Sequence, residues 1–155
     1  MGKVVLDITM SLDGFIAGPN DEIDPLHDWI FTGEAGDVTR LTDSGAALLD
    51  DASRTAGAIV AGRRTYDVAD GWGGNPPIPA PYFVLSHHVP EEAAIAGSRF
   101  TFVNDGIQSA VEQARAVAGN KDVVVMGGAK HYFSRIRTGT FSRSTRKSDR
   151  RVDRE

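Results

Sequence analysis

The chain has 155 residues, of which 41% are hydrophobic and 25% charged, and its formal charge of −4 gives no overall bias toward nucleic acid. That length suits a single domain with one core. Cysteine is absent, which excludes disulfides, thiolate metal sites and a cysteine nucleophile and agrees with a cytoplasmic location; no apolar run reaches the ~18 residues of a membrane span.

Lys3 to Met10 is mostly apolar and rich in β-branched residues, which predicts a strand covered on both faces. A loop rich in Gly, Pro and Asp runs to about Gly36. Val38, Leu41, Gly45, Leu48, Leu49 and Ala52 then recur at three and four residues and predict a helix over 37–54. Gly57 to Ala61 reads as the second strand, and Gly62 turns the chain into a short helix through Thr65 and Tyr66. Gly71 to Pro81 contains four prolines, so it reads as loop and delivers Tyr82 to Leu85 as a third strand. Arg99 to Val103 alternates as a short fourth strand. Asp105 is placed to cap a helix whose buried face is Ile107, Ala110, Val111, Ala114, Val117 and Ala118. Asp122 to Met126 is the most apolar strand and is expected at the centre. Strands alternating with helices at these spacings imply an α/β three-layer sandwich with a mostly parallel central sheet.

Charge marks a boundary near residue 130. Residues 1–130 carry a net charge of −9 and residues 131–155 a net charge of +5. The later segment keeps few apolar residues among its Arg and Ser, so it reads as a basic, poorly packed or disordered tail following a nucleotide-binding domain over 1–130.

Four short stations, each a strand running into a glycine or a helix start, carry the functional signal. They are Ser11-Leu12-Asp13-Gly14, Gly62-Arg63-Arg64-Thr65-Tyr66, Ser86-His87-His88 and Gly127-Gly128-Ala129. A parallel sheet binds extended phosphorylated cofactors at the carboxyl ends of its strands, where glycines and helix starts leave backbone amides free. The order and wording of these segments, from Met10-Ser11-Leu12-Asp13-Gly14 to Val125-Met126-Gly127-Gly128-Ala129, resemble the dihydrofolate reductase fold. The likeness is stronger to the C-terminal reductase domain of the bifunctional riboflavin-biosynthesis deaminase-reductase. It covers residues 3 to about 130; the last strands of that domain are absent from the text, which makes the fold C-terminally incomplete. In that family those strands lie beside the first one, so its edge would be open to pairing with another molecule. A shifted reading frame or a divergent truncation would account for such a tail.

The resemblance implies NADPH binding. Gly62 to Thr65 would open a helix toward the cofactor phosphates, with the Thr65 hydroxyl as a donor and Arg63 and Arg64 beside them, Arg63 nearest the adenosine 2′-phosphate. A capped surface helix with solvated arginines would read the same way. Ser86 and His87 match the family's second contact to that phosphate, and Gly127, Gly128 and Ala129 its approach to the pyrophosphate. Ile8, Thr9 and Ile16 would line the nicotinamide, while Asp13 and Gly14 shape a turn. Asp28 matches the segment that carries the acid in dihydrofolate reductase, although a solvated acidic loop has the same composition. Trp29 and Phe31 would face substrate or simply pack. The four histidines, His27, His87, His88 and His131, fit no metal-ligand spacing, so no metal is expected.

The implied activity is an NADPH-dependent reductase acting on a small heterocyclic substrate, as in riboflavin biosynthesis. The alternative is a non-catalytic or truncated remnant that keeps at most nucleotide binding. The resembling reductases are often homodimers. No membrane partner is expected, nor a nucleic-acid one, since the tail arginines lack interleaved aromatics.

Overall fold

Ala56-Gly57-Ala58-Ile59-Val60-Ala61-Gly62 contains no side chain that must reach water, and it forms the middle strand of the sheet. The computed structural model describes residues 2–22, 26–32, 40–90 and 97–127. In chain order its main elements are β1 (Val4–Asp7), α1 (Asp43–Thr55), β2 (Ala56–Gly62), α2 (Arg63–Val68), β3 (Tyr82–Leu85), β4 (Phe100–Val103), α3 (Ile107–Ala118) and β5 (Asp122–Met126). The five strands are all parallel, in the order β1-β5-β2-β3-β4. Every carboxyl end therefore opens on the same rim.

Two apolar layers cover the sheet. On one face Ala58, Val60, Phe83, Val123 and Val125 pack against Ile107, Ala110, Val111 and Ala114 of α3. The alanines at 110 and 114 are fully buried, so the helix axis can lie close to the strands. On the other face Ile59, Tyr82, Val84 and Phe100 pack with Leu49 and Ala52 of α1, Tyr66 of α2 and Trp72. Each fully buried aliphatic chain contributes about 1.5–3 kcal/mol by leaving water, and Ile59, Val60, Val84, Val123 and Val125 all qualify. The three-layer α/β sandwich is thus the observed architecture.

Several element boundaries differ from the sequence reading. β1 ends at Asp7, not Met10, because its only described partner β5 ends at Met126, which lies beside Asp7. It occupies the edge of the described sheet and is not buried on both sides. β5 is internal, but β2 holds the centre.

The helix expected over 37–54 starts at Asp43. Residues 40–42 are taken by a pairing with 30–32, in which Thr32 donates to the Arg40 carbonyl at 2.8 Å and Thr42 to the Ile30 carbonyl at 2.9 Å. Thr42 then caps α1 by accepting from the Gly45 amide at 2.9 Å. Leu41, read as part of the helical stripe, sits in that bridge, opposite Phe31.

Asp105 does not cap α3. The cap position is Gly106, at φ 104°, and no side chain bonds the first turn. Val117, expected in the buried face, is 54% exposed; at about 100° per residue it falls beyond the edge of the stripe set by Ile107, Val111, Ala114 and Ala118.

The proline-rich stretch before β3 holds a left-handed turn, with Gly71 at φ 53°, Trp72 at 51° and Gly73 at 57°. A non-glycine residue there costs on the order of 1 kcal/mol. Ring packing offsets it: Trp72 stacks on Phe100 at 6.1 Å and tilts against Tyr82 at 5.4 Å. Gly128, Ala129 and residues 131–155, on which the expectations of a tail and of an incomplete C-terminus fall, lie outside the described residues.

Candidate functional site

Parallel register brings three of the four stations together. Gly62 is level with Leu85, and Ala61 with Met126, so the chains leaving β2, β3 and β5 emerge side by side at one rim. Gly127, at φ 64°, sits directly against Thr65, whose hydroxyl occupies the space where a Cβ on residue 127 would project. Only a glycine fits there, on both conformational and steric grounds. Gly62 is the cap residue of α2 and offers no side chain to its first turn, which leaves amides of that turn directed at the same rim.

Arg63 ties β2 to β3. Its Nε donates to the Asp67 carboxylate at 2.6 Å, and its Nη1 lies 3.4 Å from both the Ser86 hydroxyl and the His88 carbonyl. The Ser86 hydroxyl donates to that same carbonyl, and the His88 amide donates back to Ser86 at 3.3 Å. Two of these contacts are long, so the guanidinium keeps hydrogen-bonding capacity for an incoming anion. His87 is exposed beside them. Arg64 points the other way and pairs with Asp21 of the loop after β1.

The first station forms a closed turn. Ser11 donates from its hydroxyl to Asp13 at 2.6 Å and from its amide to the Phe15 carbonyl at 2.8 Å, and Gly14 takes φ 93°. Asp13 is therefore occupied in the turn, as expected. Ile8 and Gly127 each follow the last paired residues of their strands, Asp7 and Met126, which lie side by side. Ile8, Thr9 and Ile16 are half-buried, whereas Met10, Leu12 and Phe15 are 51%, 109% and 63% exposed. This places apolar surface next to the rim.

Asp28, Trp29 and Phe31 belong to a separate cluster against the start of α1. The Trp29 carbonyl accepts from the Thr42 hydroxyl at 2.6 Å, and Gly45 approaches the Ile30 backbone so closely that no side chain fits between them. Asp28 is exposed, and among the described residues no ring contact or hydrogen bond joins these three to the strand tips. The sequence reading missed Asp67 and Asp21, the carboxylates that orient Arg63 and Arg64. The four-residue spacing of Arg63 and Asp67 on one helix was a usable signal; Asp21 had none.

A five-stranded parallel α/β sandwich whose glycines and helix start converge on one rim is the dihydrofolate reductase-like fold that the sequence resembles. The chain is similar to a crystal structure from Shewanella sp. PV-4, provisionally described as a riboflavin biosynthesis protein, with TM-score 0.61 and 22% identity over 91% of this chain and 72% of that one. No protein-family model and no curated protein matches the chain.

Proposed function

We propose that this protein is an NADPH-dependent reductase of the riboflavin-biosynthesis, dihydrofolate reductase-like kind, acting on a small heterocyclic substrate such as a ribosylamino-pyrimidine. The observation that carries the reading is the meeting of Arg63 with Ser86 and of Thr65 with Gly127 at one rim. A glycine held where a Cβ would strike Thr65 lets the end of β5 approach the start of α2, so that backbone amides and the Thr65 hydroxyl stand together for a pyrophosphate. The residues present fit the cofactor, and the similarity to a riboflavin biosynthesis protein supports the same class.

When bound, the dinucleotide supplies the hydride. The chain's own part is to hold and orient it. Arg63, steadied by Asp67, and Ser86 bind the 2′-phosphate by charge-assisted hydrogen bonds. Gly62, Thr65 and Gly127 receive the pyrophosphate, with Gly128 and Ala129 continuing that segment. Ile8, Thr9 and Ile16 keep water from the nicotinamide ring and so strengthen the electrostatics of transfer. The proton that completes reduction of a C=N or C=O group comes from water, since Asp28, the acid the resemblance suggests, is exposed in a separate cluster.

Thermal unfolding of the purified full chain with increasing NADPH tests this. A ligand that binds only the folded form at a hundred times its Kd stabilises by about 2.7 kcal/mol, and NADPH should do so better than NADH. Loss of cofactor absorbance with candidate pyrimidine substrates then reads turnover. A cooperatively folded protein whose melting point ignores NADPH sinks the proposal.

A further inference from the structure

Arg63 and Arg64 are neighbours at the start of α2, yet they leave the helix in different directions. Successive helical residues stand about 100° apart around the axis, and the order β1-β5-β2-β3 puts β3 on one side of the β2 tip and β5, then β1, on the other. Arg63 reaches toward β3, with its Nη1 3.4 Å from the Ser86 hydroxyl. Arg64 reaches toward the chain that has left β1, where its Nη2 pairs with the Asp21 carboxylate. The segment from Asp7 to Asp21 therefore travels from β1 past β5 to the helix that follows β2, about 10 Å for two strand spacings.

That segment is built to present Asp21. The Gly18 amide donates to the Glu22 carbonyl at 2.7 Å, a Cβ on Gly18 would meet the Glu22 side chain at 3.3 Å, and Pro19 fixes one backbone angle between them. Within this closed turn Asn20 and Asp21 both hold left-handed backbone, at φ 61° and 68°, which short polar side chains tolerate best. Two adjacent left-handed residues that are not glycine persist only where surrounding contacts hold them. The pair with Arg64 is such a contact, and Asp21 is half-buried. The segment is thus held at both ends, by Asp7 beside Met126 of β5 and by Asp21 on α2. Ile16 lies between the two anchors.

We propose that Arg64 is a positioning residue that, through Asp21, fastens the 8–22 segment to α2, leaving Arg63 alone of the two to receive a phosphate. The consequence for a ligand rests on the nucleotide reading above. With the segment fastened, Ile16 is kept at the nicotinamide end, so Arg64 acts on the whole dinucleotide and not on its 2′-phosphate.

Two measurements on the full chain test this, one of the segment and one of the ligand. The variants are Arg64→Gln and Asp21→Asn, which preserve helix propensity at 64 and tolerance of left-handed backbone at 21, together with their combination and Arg64→Lys. Exchange of the Gly18 amide, followed by NMR with α3 amides as the control for global folding, should quicken about two- to fivefold in each single charge-removing variant, the size of an exposed ion pair. The combination should be no faster than either single variant, and Arg64→Lys should stay near the parent. Salt at ~0.5 M should bring the parent toward the variants and leave the variants unmoved. Unchanged exchange in Arg64→Gln overturns the proposal, as do effects that add in the combination, because the two side chains then do not act through each other.

Titration with 2′,5′-ADP, which carries the 2′-phosphate but no nicotinamide, and with NADPH reads the ligand. Arg64→Gln should hold affinity for 2′,5′-ADP within about twofold and weaken NADPH about two- to fivefold. A loss of about tenfold for 2′,5′-ADP would put Arg64 on the phosphate itself and overturn the assignment. NADPH affinity unchanged beside a loosened segment would break the link from Arg64 to the ring. A folded parent that binds neither nucleotide removes the reductase reading, and amide exchange alone then decides whether Arg64 fastens the segment.

Discussion

Gly127 and Thr65 occupy each other's space: an added Cβ at 127 would lie 3.0 Å from the Thr65 Cβ and overlap its hydroxyl outright. Together they close the gap between β5 and α2 and set the width of the rim.

Gly127→Ala should therefore be costly for two separable reasons. The φ of 64° disfavours any side chain by roughly 1 kcal/mol, and the clash with Thr65 adds to it. Urea unfolding should show a loss of about 2–4 kcal/mol. Adding Thr65→Ala should recover the part due to the hydroxyl and leave the backbone part. Equal stability of the single variant and the parent would disprove the close approach.

Arg63→Met should separate binding from folding. The Arg63–Asp67 pair is an exposed pair on one helix, with side chains 38% and 49% exposed, and such pairs contribute only about 0.3–0.5 kcal/mol. Unfolding should scarcely change, whereas under the proposed cofactor reading NADPH affinity should fall tenfold or more and a preference over NADH should shrink. Isothermal titration with both nucleotides measures this. An unchanged ratio between them would remove Arg63 from the proposed phosphate site.

Tyr82 offers a test by pH. Its side chain is fully buried, its hydroxyl has no hydrogen-bond partner of good geometry, and burial raises its pKa to about 12, an effect that the Ile78 backbone and the Arg99 charge offset only in part. The unfolded phenol ionises near 10, so the unfolded state sheds its proton first as pH rises. The Tyr82 contribution is complete below pH ~10 and is lost by about 1.4 kcal/mol per pH unit up to the folded pKa. Tyr82→Phe should cancel this alkaline loss relative to the parent. At neutral pH it should be neutral or stabilising by up to about 1 kcal/mol, because it removes an unpaired buried group.

Gly45→Ala should pull α1 away from residues 26–32, since the Ile30 carbonyl already fills the position of the new methyl. Neither neighbour is a movable side chain. The expected cost is about 2–4 kcal/mol, with proteolysis appearing first around residues 26–32. Wild-type resistance in the variant would contradict the packing.

Local chemistry made some of this structure legible in the sequence. β3 and β5 match their expected spans because Pro81, Ser86 and Gly127 bound uninterrupted apolar runs. Gly62 was readable as the hinge into α2. What failed depends on partners far along the chain. The end of β1 is set by where β5 stops, and the start of α1 by the pairing of 40–42 with 30–32. No periodicity within 37–54 encodes that pairing. The site divides the same way. Gly127 could be singled out as a glycine after a strand, but its contact with Thr65 follows only from the register of β2 against β5. Arg63 and Ser86 were each readable at a strand end, and their approach required β3 to lie beside β2.

The shared direction of the five strands gathers the amino-end connections on the side away from the carboxyl rim. One of them, Gly119-Asn120-Lys121 between α3 and β5, is constrained by packing, since Ala118 and Lys121 leave no room for a side chain at Gly57 and Lys121 leaves none at Gly2. Asn120 itself is exposed, so a fluorophore or affinity handle grafted there would report on the molecule from the end opposite the proposed nucleotide rim.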